Sequence, residues 1–135
     1  MQDRPNPIEL VQAVAHLLQA TVLPQSSGHV AFEIRVAINA LELVVRQLAR
    51  SAQSDCAERR RLDELLGRTG SLLDLNRELC ARIADDVIDL NDEHLIRHLW
   101  ATTMEKLAID QPSYAAFREE QLRNRGADHG FQSSA

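Results

Sequence analysis

Four polar residues recur at helical spacing inside an otherwise aliphatic stretch: Arg35, Asn39, Glu42 and Arg46 within Val30–Leu48, VAFEIRVAINALELVVRQL. At about 100° per residue they fall within roughly 60° of one another on a helix. Two chemistries fit that seam. In the first it is a pocket for an anion or carboxylate. Arg35 is then a fork-shaped donor, Asn39 fixes orientation, and Asn76 or Arg77 approaches from another helix. In the second it is the helix's wet stripe or a subunit contact. Glu42 and Arg46 are then an ordinary i, i+4 pair worth a few tenths of a kcal/mol, about 0.3–0.5 at most. The narrowness of the seam keeps the pocket in play, because a helix this apolar has little surface facing water.

A second candidate is His94 with His98, which share a helix face at i, i+4 and resemble half of a metal site. A further ligand is needed, and Asp85, Asp86 and Asp89 lie upstream across a turn. The HExxH pattern is absent, because Leu95 follows His94. The plainer role is a solvated or capping pair, so the expectation is no bound metal and no cofactor. The acidic run Asp85–Glu93 lacks the alternating oxygen ligands and central glycine of a calcium loop. It reads as a solvated turn whose later acids cap the next helix. Arg59-Arg60-Arg61 sits beside Glu58, Asp63 and Glu64 and reads as a solvated face. Cys56 and Cys80 match no zinc or redox spacing. Cys80, next to an apolar helix face, reads as a buried structural thiol. No nucleophile elbow, P-loop or dinucleotide fingerprint is present, so the expectation leans away from an enzyme.

The chain has 135 residues with 44% hydrophobic and 26% charged, enough for one domain and one core. One Trp, one Tyr and three Phe leave the core to Leu, Val, Ile and Ala, which suits helix-on-helix packing. A net charge of −5 argues against non-specific nucleic-acid binding. The opening MQDRPNP has no apolar h-region, and no apolar run approaches the ~20 residues that span a bilayer. A reduced cytoplasmic setting with no membrane contact follows as the expectation.

The elements that must position these residues are helices. Asn6, Pro7 and Glu9 form a capping-box start, and Leu10, Val11, Val14, Leu17 and Leu18 form one apolar face up to Pro24. A second helix runs from about His29 to Ala52 and a third from about Asp55 to Leu66, stopped by Gly67. A fourth starts near Ser71 with Leu72, Leu75, Leu79, Ile83 and Val87 on one face. A fifth starts at Asn91 or Asp92 with Leu95, Leu99, Thr103 and Leu107 toward the core. A short sixth spans about Ser113 to Arg123. The expected fold is all-α, an antiparallel bundle of four main helices plus one or two short ones. It forms one domain over 1–123, with a flexible or loosely packed tail over 124–135.

Four stretches carry a resemblance as a set: MQDRPNPIELVQAVAHLL, FEIRVAINALELVVRQL, LNRELCARI and LWATTMEKLAIDQPSYA. Together, from Met1 to about Tyr114, the chain resembles a family of short bacterial proteins classed only as a domain of unknown function. Members of that family are encoded beside, or fused to, aminoglycoside-phosphotransferase-like kinases and are found beside acyl-CoA dehydrogenases. The resemblance implies a helical accessory role in acyl-CoA or related small-molecule metabolism. Its pattern falls on polar Arg35, Asn39, Asn76, Arg77 and Lys106 and supplies no catalytic residue. The leading expectation is a non-enzymatic accessory protein, a homodimer that works with such a kinase or dehydrogenase. The alternative is a domain binding or transforming a small acidic ligand near Arg35 and Asn39.

Overall fold

The computed structural model describes residues 4–130, with side chains described as far as Asn124. Among these the chain is all-helical: α1 (Pro7–Leu17), α2 (Gly28–Leu66), α3 (Leu72–Ala84), α4 (Glu93–Asp110) and α5 (Ala115–Gly130). The starts follow local hydrogen-bonding chemistry. Asn6 and Glu9 exchange reciprocal bonds, with Asn6 N–H donating to Glu9 Oε2 at 2.9 Å and Glu9 N–H to Asn6 Oδ1 at 3.0 Å. This satisfies two orphan groups of the first turn. Ser71 accepts from the Asp74 amide at 3.1 Å to start α3. Asp92 accepts from the His94 and Leu95 amides at 2.7 and 3.0 Å to start α4.

Two expected boundaries move. Beyond Leu17 the helical path widens into a π turn over Leu18–Val22 and closes with a 3-10 turn over Leu23–Gln25, so Pro24 sits inside the winding-down segment. The expected second and third helices are one 39-residue helix. Ser51-Ala52-Gln53-Ser54-Asp55 contains neither glycine nor proline, and the Ser51 hydroxyl donates back to the Gln47 carbonyl at 2.6 Å rather than capping a new helix. The stop at Gly67 is as expected. Its φ of +70° is the left-handed conformation that favours glycine, and its N–H bonds the Asp63 carbonyl at 3.0 Å. At the other end, α5 continues past Arg123 to Gly130, and residues 131–135 of the expected tail lie outside the described residues.

The chain divides inside α2, after Gln53, into two compact units. The first holds α1 and the first half of α2. Its buried residues are small in number and size: Ala15, Ala31 and Ile38, with Val11, Leu18, Ile34, Leu41 and Val45 half-buried around them. The second unit has a leucine core. Leu62 and Leu66 at the end of α2 meet Leu75 and Leu79 of α3 and Leu95 of α4, with Leu65, Leu72, Ile83 and Ile88 around them. Glu78 on α3 pairs with both Arg68 and Arg82. Arg82 also reaches the Leu66 carbonyl at 3.5 Å, one of the acceptors α2 leaves unpaired at its end. The hydrogen bond from Arg68 holds the Glu78 carboxyl below its ordinary 4.5.

The face that α4 turns inward differs from the expected one. Leu95 is buried, but the next inward residue is His98 rather than Leu99. Thr102 and Glu105 continue that line half-buried, while Leu99 and Thr103 are exposed. Either set keeps helical spacing from Leu95, so spacing alone does not choose. What chooses is Arg61 on α2, which needs the polar line opposite it. Ile96, Leu99 and Trp100 are left on the outer face.

Candidate functional site

The second unit contains a polar cleft of about 300 Å³ between α2 and the start of α4. Arg61, Glu64 and Leu65 line it from α2; Asp92, His94, Arg97 and His98 line it from α4 and its cap. Its anchor is Arg61. The two terminal nitrogens of the guanidinium grip Glu105 bidentately at 2.9 and 2.7 Å, and one also reaches the Thr102 hydroxyl at 3.3 Å. The pair is largely withdrawn from water, with side chains 20% and 28% exposed, and its fork-to-fork geometry is the strong form of the interaction. Arg61 thereby departs from the solvated face expected of the arginine run; Arg59 and Arg60 keep to it.

His98 sits one helical turn before Thr102 and is 3% exposed, the one buried polar side chain among the described residues. Its Nδ1 is sealed from solvent with no hydrogen-bond partner, as is Nε of Arg61. Burial, and next the neighbouring Arg61 charge, hold His98 below the ordinary imidazole value of 6.5, against the opposing pull of Glu58 and Glu105. The ring is therefore neutral at pH 7. Asp92 is held below its ordinary 3.8, chiefly by the Leu95 amide and then the His94 amide. Its carboxylate is committed to capping α4. Glu64 and Arg97 line the same cleft, are exposed, and have no ion pair among the described residues.

The residues singled out by spacing are distributed differently from the pocket they suggested. Arg35 and Asn39 are both exposed and line neither of the two clefts described. The part of the seam that lines a cleft is its other half. Glu42 and Arg46, paired at 4.0 Å, line a cleft of about 290 Å³ in the first unit, opposite Gln12, His16 and Gln19 of α1. Asn76 is in the second unit and donates to Glu58 at 2.8 Å and to the Leu72 carbonyl at 3.0 Å, so it braces α3 against α2. Arg77 and Lys106 are exposed. His94 and His98 do share one cleft. Among the described residues no three His, Cys, Asp or Glu side chains are grouped to hold a metal ion. Cys80 is exposed, like Cys56, and neither is in a disulfide; Cys80 follows Leu79, and the 100° step carries it off the buried face.

Sequence reasoning passed over Arg61, Glu105 and Thr102. The available signal was polar spacing on α4: His94, His98, Thr102 and Glu105 step by three and four, as strict a line as the seam on α2.

Fold and site together define an all-helical protein whose second unit holds a polar cleft between helices. Residues 24–114 match the family described as "Domain of unknown function (DUF6285)", and the chain belongs to that family. No curated protein and no solved structure matches the chain. The match begins after α1, whereas the resemblance read from the sequence starts at Met1. Among the described residues no helix is long and apolar enough to cross a membrane.

Proposed function

We propose that this protein is a non-enzymatic helical interaction module that works as a homodimer, two copies joining through the apolar side of their α1–α2 pairs. One observation carries the reading. Leu10, Val14 and Leu17 of α1, and Val30, Val44 and Leu48 of α2, are each 41–56% exposed.

Helical geometry puts these residues on one side of the pair. On α1, Gln12, His16 and Gln19 flank the buried edge on one side, and Leu10, Val14 and Leu17 flank it on the other, at 100° per residue. On α2, Glu42 and Arg46 flank the edge made by Ile34, Ile38 and Val45, with Val30, Val44 and Leu48 opposite. The polar flanks share a cleft, so the apolar flanks share the other side. Together these six side chains expose on the order of 500 Å². That is in the upper part of the ~300–600 Å² range of the largest patch on a typical monomer, a range in which such patches are often functional. A unit whose own buried residues are two alanines and one isoleucine gains a core by this pairing. Two helix pairs meeting on these sides form a four-helix bundle, the arrangement the short loops suggest, with both copies supplying the core.

The dimer's outward partner is a phosphotransferase-like kinase or an acyl-CoA dehydrogenase, as the family resemblance implies, acting in small-molecule metabolism in the cytoplasm. Support for a second contact surface comes from Ile96, Leu99 and Trp100, exposed along one face of α4. Size-exclusion chromatography with light scattering tests the self-association. A dimer that the double variant Leu17→Glu/Leu48→Glu converts to monomer is expected; a wild-type monomer throughout the micromolar range overturns it. Co-purification with each enzyme tests the outward contact, and no enrichment of either removes that part.

A further inference from the structure

The cleft of the second unit carries an inference independent of dimerisation. His98 is a polar residue at a buried position. Burying an imidazole with one nitrogen sealed and unpartnered is costly, so its place here calls for a reason at the ring's other nitrogen. The ring lines the cleft with Nδ1 sealed. An unsatisfied buried donor is rarer than an unsatisfied acceptor, so the neutral ring keeps its proton on Nε2. That nitrogen makes no hydrogen bond within the described chain and is not sealed, and it offers the cleft an N–H donor.

The charges around it are balanced in an informative way. Arg61 is neutralised by Glu105, and the Asp92 carboxylate, which stays charged, is turned to the α4 amides, where the positive end of the helix dipole offsets part of it. The two charged side chains of the cleft that no other group offsets are a cation, Arg97, and an anion, Glu64, both without an ion pair among the described residues. A simple anion would gain from Arg97 and lose to Glu64; a simple cation would do the reverse. A molecule carrying both signs gains from each. A volume of about 300 Å³ takes a ligand of roughly ten non-hydrogen atoms if each needs about the ~30 Å³ of a liquid water.

We propose that the α2–α4 cleft binds a small amino-carboxylate zwitterion, its carboxylate held by Arg97 and the His98 Nε2–H and its ammonium by Glu64. The contacts are charge-assisted hydrogen bonds, and the Arg61–Glu105 clamp holds the two helices at the spacing that makes the cleft.

The test is a titration of the full-length protein with L-alanine, acetate and methylammonium chloride, observing the histidine ring nitrogens by NMR. L-Alanine is expected to shift the His98 signals saturably, with a dissociation constant at least tenfold below that of acetate or methylammonium. Arg97→Ala and Glu64→Gln, both at exposed positions, are each expected to weaken L-alanine about tenfold while the melting temperature stays within a degree or two of wild type. Acetate saturating the same shifts as tightly as L-alanine would overturn the zwitterion assignment. Shifts that stay linear with all three probes, or L-alanine affinity unchanged in Arg97→Ala, would overturn the site. None of these readouts depends on whether the chain is a dimer.

Discussion

Replacing Arg61 by methionine keeps most of the side-chain volume and removes the charge at the anchor of the cleft. Exposed ion pairs are worth about 0–1 kcal/mol, and breaking a fully buried one costs about 3–5. At 20% and 28% exposure, with bidentate geometry, the Arg61–Glu105 pair lies between these limits. Arg61→Met is therefore expected to cost about 2 kcal/mol, part of it from leaving Glu105 half-buried and unpaired. For a chain of this length that lowers the melting temperature by about 6 °C. A double-mutant cycle with Glu105→Gln should return a coupling of about 1–2 kcal/mol. The same two variants move His98 in opposite directions. Arg61 presses its pKa down and Glu105 pulls it up, so Arg61→Met raises the value and Glu105→Gln lowers it further. NMR titration of the His98 ring reads both. A coupling below about 0.3 kcal/mol, or a His98 pKa that falls in Arg61→Met, would refute the clamp.

Three further outcomes follow from the same contacts. Below pH 6.5 an unfolded His98 takes up a proton that the folded, buried ring refuses. Stability should therefore decline as pH falls from 6.5 to the folded pKa and then level off; denaturant melts from pH 8 to 5 should show this slope, and His98→Asn should flatten it. Leu75→Ala opens a cavity at a fully buried position of the leucine core and should cost about 2–5 kcal/mol by urea unfolding. Asp92→Ala removes the α4 cap and should lower the urea midpoint, whereas Asp92→Asn, which keeps the acceptor, should lower it clearly less.

What could be read from the sequence was decided by local chemistry. Asn6, Ser71 and Asp92 announce helix starts because a short polar side chain reaches the first amides of its own helix, and Gly67 announces a stop because φ is positive there. These need no knowledge of neighbours. The missed features all depend on a neighbour. Whether α2 breaks near Ser54 turns on the absence of any residue that forces a break, which is a weak signal beside the modest hydropathy of its second half. Which face of α4 points inward turns on Arg61. Arg61 in turn is indistinguishable by type from Arg59 and Arg60 until Glu105, 44 residues on, is known to lie opposite it. The seam on α2 is visible as a stripe, but its division is not: only Glu42 and Arg46 line a cleft with Gln12, His16 and Gln19 of α1, and spacing alone does not say where α1 lies.

We propose above that a second copy of this chain closes the apolar side of the α1–α2 pair. Sedimentation equilibrium on the full-length protein at micromolar concentration tests it most directly. The expected mass is twice that of the 15.2 kDa chain, reverting to a single chain in Leu17→Glu/Leu48→Glu with helical content retained. A mass of one chain at all concentrations, or a dimer that survives the double variant, would contradict it.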